Sequence, residues 1–255
     1  MRANAIQFKN ISMSFGTKQI IDNLSLDIEE GHFVTMLGSS GSGKTTLLKM
    51  VNRLIEPNNG TILINDNDIK DMDTIELRRS IGYVVQQIGL FPHVTIEKNI
   101  ATVPELSGWD KQATKERVSE LLELVQLPYS EYGKRYPKQL SGGQQQRIGV
   151  ARALAANPKI MLLDEPFGAV DAITRQELQK QIKKLHQELD GKTFLFVTHD
   201  INEAFFLGDK VVIMDKGKIL QYDTPENIVK SPQTEFVQEL LKTKYEEVLL
   251  WGDLK

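Results

Sequence analysis

The ten residues from Leu37 to Thr46, LGSSGSGKTT, constrain this chain more than any other stretch. They follow an apolar run (Phe33, Val34, Met36, Leu37) and precede an apolar-periodic segment (Leu47, Leu48, Val51, Leu54). That order reads as strand, loop, helix, with G-x-x-x-x-G-K-T spanning Gly38 to Thr45. In the loop Gly38, Ser39, Ser40, Gly41, Ser42 and Gly43, three glycines let the backbone curl until successive N–H groups point inward. The opening turn of the helix adds unpaired donors and the positive end of its dipole. Such a nest suits a polyphosphate. Lys44 brings a mobile positive charge, and the hydroxyl of Thr45, next to Thr46, is a hard oxygen ligand of the kind Mg²⁺ takes. A Gly/Ser-rich linker shares the composition but lacks the flanking strand and helix.

A chain of 255 residues buries a full core. With 31 basic and 34 acidic residues and a net charge of −3, composition gives no electrostatic support for nucleic-acid binding. The absence of cysteine excludes disulfides and cysteine-based zinc sites and fits a reducing compartment. The N-terminal MRANAIQFKN has no apolar signal-like core, and no apolar run approaches the ~18 residues of a membrane span. A soluble, cytosolic chain is expected.

The pattern predicts an α/β fold: a P-loop NTPase core of mainly parallel sheet, with an antiparallel β-subdomain and an inserted all-helical subdomain. Residues 5 to 29 alternate with the strand period around a turn at Phe15-Gly16-Thr17. In that turn Phe15 either stacks on a purine base or packs into the core, and spacing alone leaves both open. Pro57-Asn58-Asn59-Gly60 reads as a turn before a strand from Thr61 to Ile64, and Asp73 or Thr74 as the cap of a short helix through Arg79. Ile81 to Val85 reads as a strand ending on Gln86-Gln87. Residues 87 to 156 turn helical, with Val118, Leu121, Leu122 and Val125 on one face and Pro128 as terminator. The rhythm resumes with Ile160 to Leu163, a helix striped by Leu178, Ile182, Leu185 and Leu189, a strand from Thr193 to Val197, and a helix from Ile201 to Leu207. A hairpin follows around Asp215-Lys216-Gly217, then a helix capped by Thr224 with Pro225 at its first position. The expected division is a core of 1–86 and 157–241, a helical subdomain of 87–156, and a charged tail of 242–255 carrying Leu249, Leu250 and Trp251.

Leu163-Asp164-Glu165-Pro166 closes a buried strand with two adjacent carboxylates, at the end of a parallel sheet where ligands collect. Asp164 suits Mg²⁺, directly or through water, and Glu165 suits a general base for an attacking water. His199 ends the next strand in Val197-Thr198-His199-Asp200, where it can reach a terminal phosphate or orient the acid. Gln86, also at a strand end, can bridge metal and water. These residues describe a generic Mg²⁺-dependent nucleotide hydrolase.

Leu140-Ser141-Gly142-Gly143-Gln144 narrows that reading. A serine and two glycines opening a helix make a second anion site, although a plain helix cap has the same letters. One chain thus carries two unlike phosphate-binding ends and one set of catalytic groups.

The chain resembles an ATP-binding cassette ATPase, the nucleotide-binding subunit of an ABC transporter, over nearly its whole length. The motif order matches: Phe15, the loop Gly38 to Thr45, Gln86, LSGGQ at 140 to 144, Asp164-Glu165, Gly168-Ala169-Val170-Asp171 and His199. The resemblance implies ATP and Mg²⁺ as cofactors, with Glu165, His199 and Gln86 catalytic and Thr45, Gln86 and Asp164 around the metal. It implies a head-to-tail homodimer in which the Ser141 segment of one copy closes on the γ-phosphate held by Lys44 of the other, with Asp171 at the cross-dimer contact. It also implies integral membrane permease subunits as partners, docking near Gln86 on Ile88, Leu90 and Phe91, although core packing suits those three as well. A solute-binding protein, extracellular or lipid-anchored, would act indirectly through the permease. No nucleic-acid partner is expected, and the location implied is the cytoplasmic face of the cell membrane.

Two runs, Leu47 to Ile55 and Gly82 to His93, are similar to those of glycine betaine, carnitine and choline importers. Relatives in that group often carry a C-terminal pair of CBS domains, for which a chain ending at 255 has no room, so regulation through them is not expected to carry over. The competing reading is a soluble cassette of translation, DNA repair or cofactor assembly. Repair relatives need a long coiled coil between the phosphate loop and LSGGQ, and no heptad run occurs there.

Overall fold

The computed structural model describes residues 3–86, 89–168 and 170–252, with side chains described up to residue 243. In chain order it begins with β1 (Asn4–Phe15), β2 (Lys18–Glu29), β3 (Phe33–Gly38), α1 (Lys44–Val51), β4 (Asn59–Ile64), β5 (Asn67–Asp68), α2 (Thr74–Ser80) and β6 (Ile81–Val84). Four helices follow, α3 (Ile96–Leu106), α4 (Lys111–Leu124), α5 (Tyr129–Tyr132) and α6 (Gly142–Leu154), with a 3₁₀ turn at Pro137–Gln139. Next come β7 (Ile160–Asp164), α7 (Ala172–Glu188), β8 (Thr193–Val197) and α8 (Ile201–Leu207). The chain closes with β9 (Lys210–Asp215), β10 (Lys218–Asp223), α9 (Pro225–Lys230) and α10 (Glu235–Gly252). It divides into two compact units, Met1–Asp68 with Phe196–Lys255, and Ile69–Leu195.

In the first unit β1 and β2 pair antiparallel and meet at Phe15 and Lys18, and β4 and β5 extend this sheet in the order β2-β1-β4-β5. Leu24, Leu26 and Ile28 are buried at alternate positions of β2, as a half-buried strand requires. All six residues of β3 are buried. That fits its pairing parallel to β9 on one side, while on the other the Thr198 N–H, just past β8, donates to the Met36 carbonyl at 3.1 Å. β10 folds back antiparallel on β9 through Lys216 and Gly217, both with positive φ, the geometry that matches strand twist. Leu37, Val211 and Ile213 form a core with Ala204 of α8, Ile228 of α9 and Val237 of α10.

In the second unit β6 and β7 pair parallel from Ile81 with Ile160 to Val84 with Leu163, and the Thr193 N–H opening β8 donates to the Lys159 carbonyl. Gly82 lets α6 approach this pair: a Cβ there would lie 2.2 Å from Met161 Sδ and 2.6 Å from the Ala153 carbonyl oxygen. Buried Asn99 accepts from the Phe91 N–H at 2.8 Å and donates to the Phe91 and Val94 carbonyls, tying the loop ahead of α3 to that helix. No described helix is long and apolar enough to cross a membrane.

Several local expectations need correction. Asn59 and Gly60 belong to β4 rather than to a turn, because Asn59 pairs with Ser12 and Gly60 lies against the carbonyls of Lys9 and Asn10. Strand β6 ends at Val84, one residue earlier than expected. Helix α1 ends at Val51, so Leu54 stands half-exposed outside its stripe. Helix α4 is stopped by Gln126 in the left-handed region (φ 59°), and Pro128 instead opens α5. Leu189 is the C-cap of α7, its N–H donating to the Leu185 carbonyl at 3.0 Å. Residues 242 to 252 continue α10 as helix, and Leu249, Leu250 and Trp251 have side chains outside the described set. The α2 cap, by contrast, is one of the two expected: Asp73 accepts from the N–H groups of Ile75 and Glu76 at 2.9 Å.

Candidate functional site

The first unit carries the phosphate loop. Between β3 and α1 the backbone takes positive φ at Gly38 (156°), Gly41 (78°) and Gly43 (101°). Only Gly38 and Gly43 also meet close neighbours; the space beside Gly41 is open. Buried Lys44 lies in the bowl of the loop, its Nζ donating to the carbonyls of Gly38 (2.8 Å) and Ser39 (2.9 Å) and to Ser42 Oγ (3.3 Å). No side chain caps α1. Thr45 and Thr46 are half-buried in this first turn, and Ser39 and Ser40 are exposed.

Phe15 is 52 % exposed at the β1–β2 turn, so it does not pack into the core. His199 is exposed past the end of β8. Next to it, buried Thr198 donates through Oγ1 to Glu203 Oε2 at 2.5 Å and accepts from the Asp200 N–H at 3.0 Å. A buried carboxylate thereby braces the peptide that carries the histidine.

The second unit carries the carboxylates. Asp164, at the end of β7, is only 5 % exposed. Tyr83, on neighbouring β6, hydrogen-bonds with its carboxylate; burial first, then this charge and hydrogen bond, push the Tyr83 hydroxyl well above the usual phenol range. Glu165 adopts φ 44°, a left-handed conformation costing a non-glycine residue on the order of 1–2 kcal/mol. Gly168 N–H donates to its carbonyl at 3.2 Å, and the exposed Gln86 donates through Nε2 to Glu165 Oε2 at 3.4 Å. Gln86 and Glu165 are thus brought together.

Ser141 caps α6 reciprocally: its Oγ accepts from the Gln144 N–H at 3.2 Å, and the Gln144 side-chain oxygen accepts from the Ser141 N–H at 2.9 Å. Both the cap and the anion-site readings fit, because an exposed hydroxyl that accepts in a cap keeps its hydrogen to donate. Gly142 is open, while Gly143 faces α7. Asp171 caps α7, and the N–H of Thr174 donated to its side chain holds the carboxyl below the usual range. Gln87, Ile88 and Ala169 lie outside the described residues.

Among the described residues no three His, Cys, Asp or Glu gather as a metal cage. Each unit carries hard oxygen of the kind Mg²⁺ takes, the Thr45 hydroxyl in the first and the Asp164 carboxylate in the second. The sequence alone gives no site role to Tyr83, Thr198 or Glu203. Tyr83 sits in an apolar strand and reads as core, and the Thr198–Glu203 contact has no letter pattern beyond the histidine between them.

A strand–glycine loop–helix, a strand-end carboxylate pair and a serine-capped helix start define the class: a nucleotide-binding cassette. The model of the ABC transporter family matches residues 21–168. The carnitine transport ATP-binding protein OpuCA of Listeria monocytogenes is 53 % identical over 237 residues, 92 % of this chain and 59 % of that protein. The choline transport ATP-binding protein OpuBA of Bacillus subtilis is also 53 % identical, over 92 % of this chain and 62 % of its own length. The glycine betaine uptake system ATP-binding protein YehX of Escherichia coli is 46 % identical over 92 % of this chain and 75 % of its own. The chain therefore spans about three fifths of the first two relatives. A solved dimeric post-hydrolysis state of the ATP-binding cassette MJ0796, bound to ADP and Pi, matches with a TM-score of 0.75 and 36 % identity over 86 % of this chain and 98 % of that one. The chain belongs to the ABC transporter family.

Proposed function

We propose that this chain is the ATP-hydrolysing subunit of an importer for quaternary-amine solutes such as glycine betaine, carnitine or choline. The observation that carries the hydrolytic part is the strand-end pair Asp164–Glu165, with the Glu165 backbone turned left-handed and its carboxylate facing the Gln86 amide. The names of the relatives support the solute class.

In this reading Phe15 stacks on the base, and the N–H groups of Gly38 to Thr46 with the Lys44 ammonium hold the phosphates. Thr45, Asp164 and Gln86 would hold Mg²⁺, which when bound neutralises phosphate charge. Glu165 takes the proton of the attacking water at its carboxylate, and His199 donates to the terminal phosphate. The Ser141–Gln144 helix start of a second copy closes on that phosphate, with Asp171 at the contact. Nucleotide binding joins the copies and hydrolysis frees them. The protein works at the cytoplasmic face of the cell membrane, against permease subunits that receive an extracellular or lipid-anchored solute-binding protein. The exposed ring of Phe91, under the Arg152 guanidinium, supports a docking surface beside Gln86.

Expression with candidate permeases, followed by uptake of labelled glycine betaine, carnitine and choline into vesicles holding ATP, tests this. Uptake lost with Glu165→Gln is the expected result. Partnership with ribosomes or DNA and no permease would overturn it.

A further inference from the structure

The β9–β10 turn is fastened to the phosphate loop along its length. Ser39 Oγ donates to Asp215 Oδ1 at 2.7 Å, and the Gly217 N–H donates to the Ser42 carbonyl at 3.2 Å. Gly38 pairs in register with Met214, and a Cβ on it would lie 2.0 Å from the Met214 carbonyl oxygen. The same turn holds β2: the Gly217 carbonyl accepts from the Asp22 N–H at 3.2 Å, and a Cβ on Gly217 would fall 2.4 Å from the Ile20 carbonyl oxygen. Gly43 closes the circle, since a Cβ there would sit 3.2 Å from that Ile20 oxygen. Three segments remote in sequence thus meet backbone to backbone, with a glycine at each contact.

A loop that binds phosphate through peptide N–H groups works only if those peptides already point the right way, because orienting them at the moment of binding costs affinity. Burial orients Ser42, Gly43 and Lys44. Ser39, Ser40 and Gly41 are exposed, and Gly41 has open space beside it. The Ser39–Asp215 hydrogen bond is a side-chain tie on that outer limb.

We infer that Asp215 is a positioning residue, whose carboxylate, through the Ser39 hydroxyl, holds the outer limb of the phosphate loop ready for a nucleotide's phosphates. This role rests on the nucleotide-binding reading above. Through space a carboxylate opposes an incoming polyphosphate, so the two effects of Asp215 have opposite signs and different variants separate them.

Titration of the purified chain with ATP and with ADP, alongside steady-state turnover, provides the test. Asp215→Ala loses the acceptor and is expected to weaken both nucleotides about fivefold, as a rise in KM with kcat within about twofold. Asp215→Asn keeps an acceptor oxygen without the charge and is expected to bind at least as tightly as the parent. Ser39→Ala should reproduce the loss, and the double variant should lose no more than either single change. Parent-like or tighter binding by Asp215→Ala, or additive losses in the double variant, would overturn the role. Failure of the unmodified chain to bind ATP would overturn the nucleotide reading itself.

Discussion

Gly143 faces Thr174 so closely that a Cβ on the glycine would lie 2.5 Å from Thr174 Cγ2. The contact sets the start of α6, capped by Ser141, against the first turn of α7, capped by Asp171. The two helix starts that the proposed function sets at a contact between copies are thereby fixed to each other inside one unit. Gly143→Ala should destabilise the chain by about 1–3 kcal/mol, the range for overpacking, read as a lowered melting temperature. Adding Thr174→Ser removes Cγ2, and the next Thr174 atom stands 3.9 Å away, so the double variant should recover most of the loss. An additive loss would contradict the packing account.

Glu165→Gln keeps the shape and the contact with Gln86 but cannot accept a proton. ATP binding should survive, turnover should fall by a factor of at least about 100, and a dimer should accumulate with ATP in size-exclusion chromatography. An active, monomeric variant would contradict the assigned roles.

Lys44→Ala removes both the charge offered to phosphate and the ammonium that gathers the carbonyls of Gly38 and Ser39. Nucleotide affinity should fall about tenfold or more. Unchanged turnover at limiting ATP would mean that the phosphate loop is misread.

Tyr83→Phe leaves the strand packing of β6 in place and withdraws one hydroxyl from the Asp164 carboxylate. With Asp164 acting on the metal, the Mg²⁺ concentration for half-maximal turnover should rise about tenfold, with a matching loss in Mn²⁺ binding followed by electron paramagnetic resonance. If both stay unchanged, Tyr83 only fills space.

Much of this was legible in the letters because the chemistry dictates both residue type and spacing. Lys44 needs its glycines within a few positions, and Asp164 and Glu165 need an apolar strand directly before them. Local backbone choices were harder. Gly60 looks like a turn glycine and is a strand glycine, because what demands it is the carbonyl of Asn10 on another strand. Gln126 ends α4 where Pro128 is the louder signal. Contacts across long sequence separations were invisible: Ser39 and Asp215 lie 176 positions apart, and nothing near either announces the other.

The left-handed backbone at Glu165 has an evolutionary corollary. Glycine would rest there without strain, so Glu165→Gly is a change that a search for thermal robustness alone would favour, and it would delete the carboxylate proposed to activate water. Endurance and turnover therefore pull against each other at a single codon, and a lineage that ceased to need fuel would drift first at that position.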